Sequence, residues 1–194
     1  MEVCQAIRAR RSIRRFLPRE VPHEALAELA DLARLYASGG NMQPMKLAIV
    51  EKEEHREMVF SCLKWAMYLK DFTIRPDQRP MAYLVLIGDK RIRSQYGFDL
   101  GAMATNVMLG AQEFGLASCC LAIVEKDPIR KLLGLHAQQE PEVVIALGYA
   151  DQQSEAVAFV DTPAYAQLPN GDLQVPKRSL AEICVENHCK TEVL

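Results

Sequence analysis

Arg10-Arg11-Ser12-Ile13-Arg14-Arg15-Phe16 is the stretch around which the rest of this chain is organised. It places several arginines around one hydroxyl group, directly after a short apolar pattern that includes Ala6 and Ile7. A guanidinium group is planar and always charged, and it binds phosphate oxygens through two parallel hydrogen bonds. The stretch therefore indicates an anion site suited to a phosphomonoester. Taken alone, it is also typical of a solvated helix face near a chain start.

The composition is that of a folded protein with one core. The 194 residues suffice for a single well-developed domain, which we take to span residues 1–194. Hydrophobic residues make up 49% and charged residues 25%, so extended disorder is not expected. The net charge of -2 argues against a nucleic-acid partner, because a dedicated nucleic-acid binder is normally basic throughout. The arginines therefore form a local patch of charge.

Neither a membrane segment nor a metal site is expected. No apolar run approaches the ~18 to 20 residues needed to cross a bilayer, and residues 1–6 lack the regions of a signal peptide. We therefore expect a cytoplasmic protein. The six cysteines form no C-x-x-C pair and the four histidines no H-E-x-x-H motif, so we expect reduced cysteines and no bound metal.

Hydrophobic periodicity predicts a mixture of helices and strands. Helices are predicted over residues 3–10, 22–34, 53–69, 99–115, 127–133 and about 180–187, and strands over 46–51, 82–87, 118–124 and 142–148. In the helix over 53–69, the residues broadly on one side are Met58, Cys62, Trp65 and Leu69. Asp99 is expected to cap the longest helix, and Gly115 to end it.

Ala37-Ser38-Gly39-Gly40-Asn41-Met42-Gln43-Pro44 interrupts the helical pattern and predicts a loop. Its glycines permit close backbone approach, while Ser38, Asn41 and Gln43 supply hydroxyl and amide groups able to read the edge of a polar ring. A plain connecting turn with polar residues for solubility explains the same residues equally well.

Two further segments lack a core-forming pattern. Residues 71–80 contain prolines and charged residues, which is typical of an exposed flap over a pocket. Residues 151–178 contain three prolines and an Asn170-Gly171 turn, and they predict an extended arm over the surface or over a partner subunit. The arm ends in a second basic pair, Lys177-Arg178.

Together these segments resemble the nitroreductase family of FMN-dependent oxidoreductases. The matches span about residues 4–186 and are Arg10 to Arg14 with Phe16, Ser38 to Pro44, Asp99 to Gly101 with Ala111 and Gly115 to Cys119, Glu142 to Gly148, and Lys177 to Leu180. The resemblance implies an α+β fold with a mixed, mainly antiparallel sheet flanked by helices. It also implies a homodimer that exchanges terminal segments and binds two FMN molecules in its interface.

By matching position, the resemblance also implies cofactor-binding residues and no catalytic side chain, because the flavin carries the chemistry. The residues implied for the phosphate and ribityl region are Arg10, Arg11, Ser12 and Arg14, joined by Lys177 or Arg178. The residues implied along the flavin ring are Ser38, Asn41, Gln43, Leu121, Ala122 and Ile123. Of these, Asn41 and Gln43 match the polar pyrimidine edge.

The chain departs from the family pattern at two positions. Met45 stands where family members often have Trp after the Gln-Pro pair, and the glycine-rich stretch usual after the long helix is reduced to Gly115. Both departures bear on the substrate pocket. The arginines that match the phosphate site remain intact.

The resemblance implies a ping-pong oxidoreductase. NADH or NADPH reduces the flavin and leaves, and a flat electron-poor acceptor such as a nitroaromatic or a quinone then takes the electrons. Two alternatives stay open. A flavin-binding or flavin-sequestering protein would use the same arginines without admitting a nicotinamide, and a nucleic-acid patch would bind no flavin. No G-x-G-x-x-G motif indicates a choice between NADH and NADPH.

Overall fold

A four-stranded antiparallel sheet forms the centre of the computed structural model, which describes residues 2–184. Its strands are β1 (Met45–Val50), β2 (Ala82–Asp89), β3 (Ala117–Ala122) and β4 (Gln139–Gly148). They lie in the order β1-β2-β4-β3, so β1 and β3 are the edges. Every residue of β2 is buried, as its unbroken apolar run predicts.

Helices cover both faces of this sheet. They are α1 (Val3–Ala9), α2 (His23–Arg34), α3 (Glu53–Ser61), α4 (Gly97–Glu113), α5 (Lys126–Leu132) and α6 (Leu180–Ile183), with short 3-10 turns at Gly39–Asn41 and Pro76–Gln78. Within residues 2–184, none of the helices has both the length and the apolar character required to cross a membrane.

The sheet separates two hydrophobic cores because alternate side chains of a strand point to opposite faces. Leu84 and Leu86 of β2 pack in the core that α2 and α4 cover. Tyr83, Val85 and Ile87 pack in the other core, which α3 and α5 cover. The predicted α+β fold, with a mainly antiparallel sheet flanked by helices, is therefore confirmed.

The segment predicted as an extended arm forms a second, smaller sheet within the chain. It contains β5 (Ser154–Ala158), β6 (Ala166–Gln167) and β7 (Leu173–Lys177), with β7 in the middle. β5 pairs with β7 in parallel and β6 pairs with it antiparallel. These strands are short and mostly exposed, so no alternation of apolar residues marks them in the sequence. Exchange of terminal segments between subunits stays a prediction.

The helix predicted over residues 53–69 is wrong in its second half. α3 is shorter because the chain after it pairs with the segment beyond β3, where Val124 donates its N–H to the Cys62 carbonyl at 2.9 Å. Of the residues predicted on its buried side, Met58 is exposed, and Val59 is buried instead. A long-range backbone contact has overridden the local helical pattern.

Three helix boundaries also differ from the prediction. α4 begins at Gly97 after Tyr96 at the N-cap position, so Asp99 lies in the first turn and does not cap the helix. α5 begins at Lys126, one residue before the predicted cap. The last helix is predicted to about 187, whereas α6 ends at Ile183, and residues 185–187 lie outside the described residues.

Candidate functional site

The arginine cluster, Arg10 to Arg15, lies at one corner of the central sheet. Ser12 forms a β-bridge with Ser118 at the start of β3, and Ile13 donates its N–H to the Ser118 carbonyl at 3.0 Å. Ile13 and Phe16 are 7% and 0% exposed, whereas the arginines between and before them are only partly buried. Two apolar anchors therefore hold the backbone and leave the guanidinium groups near the surface.

No acidic side chain among the described residues pairs with the arginine cluster. Within residues 2–184, no ion pair includes Arg10, Arg11, Arg14 or Arg15. The Nε atoms of Arg11, Arg14 and Arg15 are buried without a hydrogen-bond partner, as is the Ser118 hydroxyl. A buried donor left unsatisfied costs about 1 to 3 kcal/mol, and more when charged. An anion with several acceptor oxygens would satisfy these donors, so the cluster fits a phosphate group.

Aromatic rings from two loops cover the arginine cluster. The Tyr165 ring centre lies 4.5 Å from the Arg14 guanidinium carbon, and the Phe72 ring centre lies 5.1 Å from that of Arg15. Tyr68 packs edge-on against Tyr165, with ring centres 5.2 Å apart. The segments predicted as a flap and as an arm therefore both lie against the arginines of their own chain.

The environment of the two thiols beside the arginine cluster, Cys119 and Cys120, opposes their ionisation. Burial raises the pKa of Cys119 to about 11, and this effect outweighs the lowering by Arg14. Burial also raises the pKa of Cys120, against the opposing charge of Arg10. Both thiols therefore stay protonated at neutral pH and supply no thiolate. Among the described residues, no group of three or more His, Cys, Asp or Glu side chains is placed to hold a metal ion.

The outer edge of β3 leads away from the arginine cluster and is open along its middle. Ser12 bridges to Ser118 at one end of this edge, and Leu63 bridges to Ile123 at the other. Between the two bridges, residues 119–122 have no strand partner on that edge within the described part of the chain. The segment predicted to run beside the flavin ring, Leu121 to Ile123, thus begins on this open edge and ends at the Leu63 bridge, with Leu121 and Ile123 buried and Ala122 exposed.

The polar loop, Ser38 to Gln43, precedes β1 at another corner of the sheet. The Ser38 hydroxyl donates to Oδ1 of Asp99 at 2.6 Å and accepts the Gln43 N–H at 2.9 Å. The Gln43 side-chain amide donates to the backbone and side-chain oxygens of Asn41, at 3.1 and 3.0 Å. Asn41 and Gln43 are exposed, so the loop presents amide groups in a defined orientation.

Within one chain the arginine cluster and the polar loop are far apart. The strand register aligns Ser118 with Leu147 and Ala82 in one row, and Met45 with Gly88 in another. The rows are separated by about 20 Å along β2, at roughly 3.3 Å per residue, and the two edge strands by about 14 Å across the sheet. The two elements therefore occupy diagonally opposite corners.

The structure does not bring the second basic pair into contact with the arginine cluster. Arg178 lies over the Phe159 ring at 4.1 Å and pairs with Glu182 at 3.2 Å, both within the C-terminal segment. Lys177 ends β7, is exposed and has no ion pair among the described residues. A phosphate-binding role for Lys177 or Arg178 stays a prediction.

The two residues that depart from the family pattern, Met45 and Gly115, both have a role in the fold of this chain. Met45 is 6% exposed and packs in the core beneath α2 and α4, and its N–H donates to the Tyr36 hydroxyl at 3.2 Å. Gly115 has a φ of 65°, a conformation that glycine adopts without strain, and the chain turns there from α4 to β3. Neither departure removes a group from the arginine cluster.

Two residues of the site give no signal of their role in the sequence. Asp99 matches a helix cap locally, and its partner Ser38 lies 61 residues away. Tyr165 lies in a segment without periodicity and reaches Arg14 only because the small sheet folds back over the arginine cluster. Both contacts depend on tertiary structure that local patterns do not encode.

Comparisons with known proteins agree on one family. A sequence model described as the nitroreductase family matches residues 7–149. A protein of Methanothermobacter thermautotrophicus, provisionally named NADH dehydrogenase/NAD(P)H nitroreductase, is 28% identical over 156 residues, which cover 77% of this chain and 78% of that protein.

Solved structures share the fold. A nitroreductase family protein of Clostridium difficile 630 is 26% identical with a TM-score of 0.63, covering 78% of this chain and 86% of that one. A protein of Desulfovibrio desulfuricans, provisionally named a nitroreductase and solved in complex with FMN, is 22% identical with a TM-score of 0.70, covering 97% and 98%.

Proposed function

This chain belongs to the nitroreductase family, and from that premise we propose that it is an FMN-dependent oxidoreductase using NADH or NADPH as electron donor. The acceptor we propose is a flat electron-poor molecule such as a nitroaromatic or a quinone. The observation that carries the proposal is the arginine cluster, whose charges have no acidic partner in the described part of the chain. The family match covers this cluster, the polar loop and the open edge of β3.

The arginine cluster binds the phosphate of FMN. Its buried Nε atoms lack partners, and a phosphate oxygen is the acceptor that suits a guanidinium group best. The residues proposed for the phosphate and ribityl region are Arg10, Arg11, Ser12 and Arg14, with Lys177 or Arg178 arriving from the end of the small sheet. Tyr165 and Phe72 shield this region from water because their rings lie over two of the guanidinium groups.

FMN held at this site would supply the redox chemistry of a ping-pong reaction, with NAD(P)H as the hydride donor of one half-reaction and the acceptor reduced in the other. The chain orients the ring through peptide groups on the open edge of β3. The amides of Asn41 and Gln43 meet its polar pyrimidine edge, where donors stabilise the negative charge that accumulates on reduction. Flat rings stack with little discrimination, so the site admits a range of aromatic acceptors.

Two subunits complete each flavin site in this proposal. The arginine cluster and the polar loop lie at opposite corners of one sheet, so a flavin that contacts both takes them from different chains. A homodimer with two-fold symmetry then forms two equivalent sites. Leu180 and Ile183 of α6 are 74% and 67% exposed, so the segment over residues 178–184 is the one we propose for exchange with the partner.

Visible absorption of the purified protein tests the proposed function. We expect flavin bands that bleach on anaerobic addition of NADH or NADPH and recover when a quinone or a nitroaromatic is added. Flavin bands that neither nucleotide bleaches would contradict the oxidoreductase and favour the flavin-binding alternative. A colourless protein that FMN cannot reconstitute would overturn the flavin site as well.

A further inference from the structure

Asp99 is a buried carboxylate in the first turn of α4, but it does not cap that helix. Its exposed fraction is 1%, and the N-cap position belongs to Tyr96, which makes no side-chain capping bond. A buried carboxylate is costly unless it is paired and hydrogen-bonded. The groups that contact Asp99 therefore indicate what this carboxylate holds in place.

Both partners of Asp99 belong to the polar loop or pack on it. The Ser38 hydroxyl donates to Oδ1 at 2.6 Å, and Nη1 of Arg93 lies 3.8 Å from Oδ2. The same guanidinium group packs on Gly39, where an added Cβ would lie only 2.8 Å from Nη1. Asp99 thus ties the polar loop to the start of α4.

The Ser38 hydroxyl also hydrogen-bonds to the far end of the loop, so it links Asp99 to Gln43. A hydroxyl has one proton and two lone pairs, so donation to Asp99 turns a lone pair toward other donors. The Gln43 N–H occupies that acceptor position at 2.9 Å. Without the carboxylate, the hydroxyl is free to rotate and the closure of the loop weakens.

The loop needs this closure because its backbone is strained. Gly40, Asn41 and Gln43 have φ values of 60°, 54° and 49°, in the left-handed region. Glycine adopts this region freely and asparagine tolerates it, but a residue such as glutamine is strained there. The hydrogen bonds from Asp99 through Ser38 to Gln43 offset that strain.

We propose that Asp99, acting through Ser38, is a positioning residue that holds Asn41 and Gln43 in the orientation with which they meet the flavin. The proposal rests on the flavin-binding role of the polar loop given above. A loop that is already ordered loses less conformational entropy when the ligand binds, so the effect falls on cofactor affinity.

Amide hydrogen exchange and FMN titration of the apo-protein test the proposal together. The variants are Asp99→Ala, Ser38→Ala, their double variant and Asp99→Asn. The control is Asp31→Ala, which removes an exposed carboxylate of α2 that pairs with Arg34. We expect exchange at the Gln43 amide to accelerate about 10-fold or more in Asp99→Ala and Ser38→Ala, and not in the control.

FMN affinity should fall about 10-fold in each of these single variants, since one hydrogen bond to a charged group is lost. The double variant should be no weaker than the weaker single variant, because both changes break the same chain of bonds. Asp99→Asn should retain most of the affinity, because its amide oxygen still accepts from Ser38. A residue that served only fold stability would not produce this pattern of coupling and rescue.

Additive losses in the double variant, or an Asp99→Asn affinity as weak as that of Asp99→Ala, would overturn the proposal. Unchanged exchange at Gln43 would do the same. Should Asp99→Ala fail to fold, Asp99→Leu, which fills similar space without an acceptor for Ser38, takes its place. A wild-type protein that binds no FMN would overturn the proposed function, whereas the exchange measurement would still show whether Asp99 holds the loop.

Discussion

The two ends of the central sheet differ in whether their positive charges are paired with carboxylates. At the end where β4 begins, Lys126 pairs with Glu140 at 3.1 Å and Glu142 at 2.9 Å, and Arg130 pairs with Glu140 at 2.9 Å. At the end where β3 begins, the arginine cluster has no acidic partner among the described residues. We call the first group, Lys126 with Arg130, Glu140 and Glu142, the paired network.

Asp89 extends the same contrast. It ends β2 beside the paired network, is 1% exposed and accepts hydrogen bonds from Arg91 that hold its pKa well below the usual range. Gln139 also donates to it, at 3.2 Å. Charges matched in this way stabilise the fold, whereas charges left unmatched beside buried, unsatisfied donors are available to a ligand. The paired charges therefore serve the fold, and we propose that the unmatched arginines serve phosphate binding.

The largest effect that would sharpen this comparison is expected at the arginine cluster. Arg10→Ala and Arg14→Ala should each weaken FMN binding by about 1 to 3 kcal/mol, because each removes charge-assisted bonds to the phosphate. The double variant should lose at least about 30-fold in affinity. Fluorescence titration of the apo-protein with FMN measures the change.

Stability provides the control for these variants. Arg10→Ala, which removes one of several mutually repelling, unmatched charges, should leave the free energy of unfolding within about 0.5 kcal/mol of the wild type or raise it, whereas Arg14→Ala should lower it by about 0.5 to 1 kcal/mol because Tyr165 loses its cation–π partner. Unchanged FMN affinity in both single variants would show that the arginines do not bind the phosphate.

The reverse result is expected in the paired network. Arg130→Ala removes a hydrogen bond to the Gln139 carbonyl at 2.6 Å and one to Glu140 at 2.9 Å. The free energy of unfolding should fall by about 1.5 to 3 kcal/mol, while FMN affinity stays unchanged. Denaturant unfolding and FMN titration of the same preparation measure both quantities. A loss of FMN affinity with unaltered stability would break the contrast between the two ends.

The smallest effect is expected at the second basic pair, where two neighbours differ in pairing. Lys177 has no ion pair in the described part of the chain, whereas Arg178 pairs with Glu182 and stacks on Phe159. Lys177→Ala should therefore weaken FMN binding by about 3-fold, and Arg178→Ala by less. FMN titration of the two variants under the same conditions compares these losses. A larger loss of FMN affinity in Arg178→Ala would show that local ion pairing does not predict which of the two charges binds FMN.

The parts of the fold that depend on local periodicity are readable from the sequence. Leu26, Leu29 and Ala33 are buried at helical spacing in α2, which lies within the range predicted as a helix, and the apolar run of β2 is buried throughout. In each case one element carries its own pattern of burial. Elements with a long, regular pattern are therefore predicted well.

The errors occur where a distant partner overrides the local pattern. α3 ends where the Cys62 carbonyl accepts a hydrogen bond from Val124. Asp99 lies in the first turn of α4, where it binds Ser38 and does not cap the helix. In the arm, β6 and β7 pair across the Asn170-Gly171 turn, but no alternation of apolar residues in the sequence predicts them. The sequence thus indicates which residues compose the candidate site, but their separation on the sheet follows only from the three-dimensional structure.

The central claim is that each flavin is bound by the arginine cluster of one subunit and the polar loop of the other. The most direct test is the FMN content of a heterodimer purified through two different tags. One chain carries Arg10→Ala with Arg14→Ala, and the other carries Asn41→Ala with Gln43→Ala. We expect each variant homodimer to bind FMN weakly. The heterodimer should bind one FMN per dimer with wild-type affinity, because one of its sites has both defects and the other has neither. A heterodimer that binds no FMN with wild-type affinity would contradict the account, because both elements would then come from the same chain.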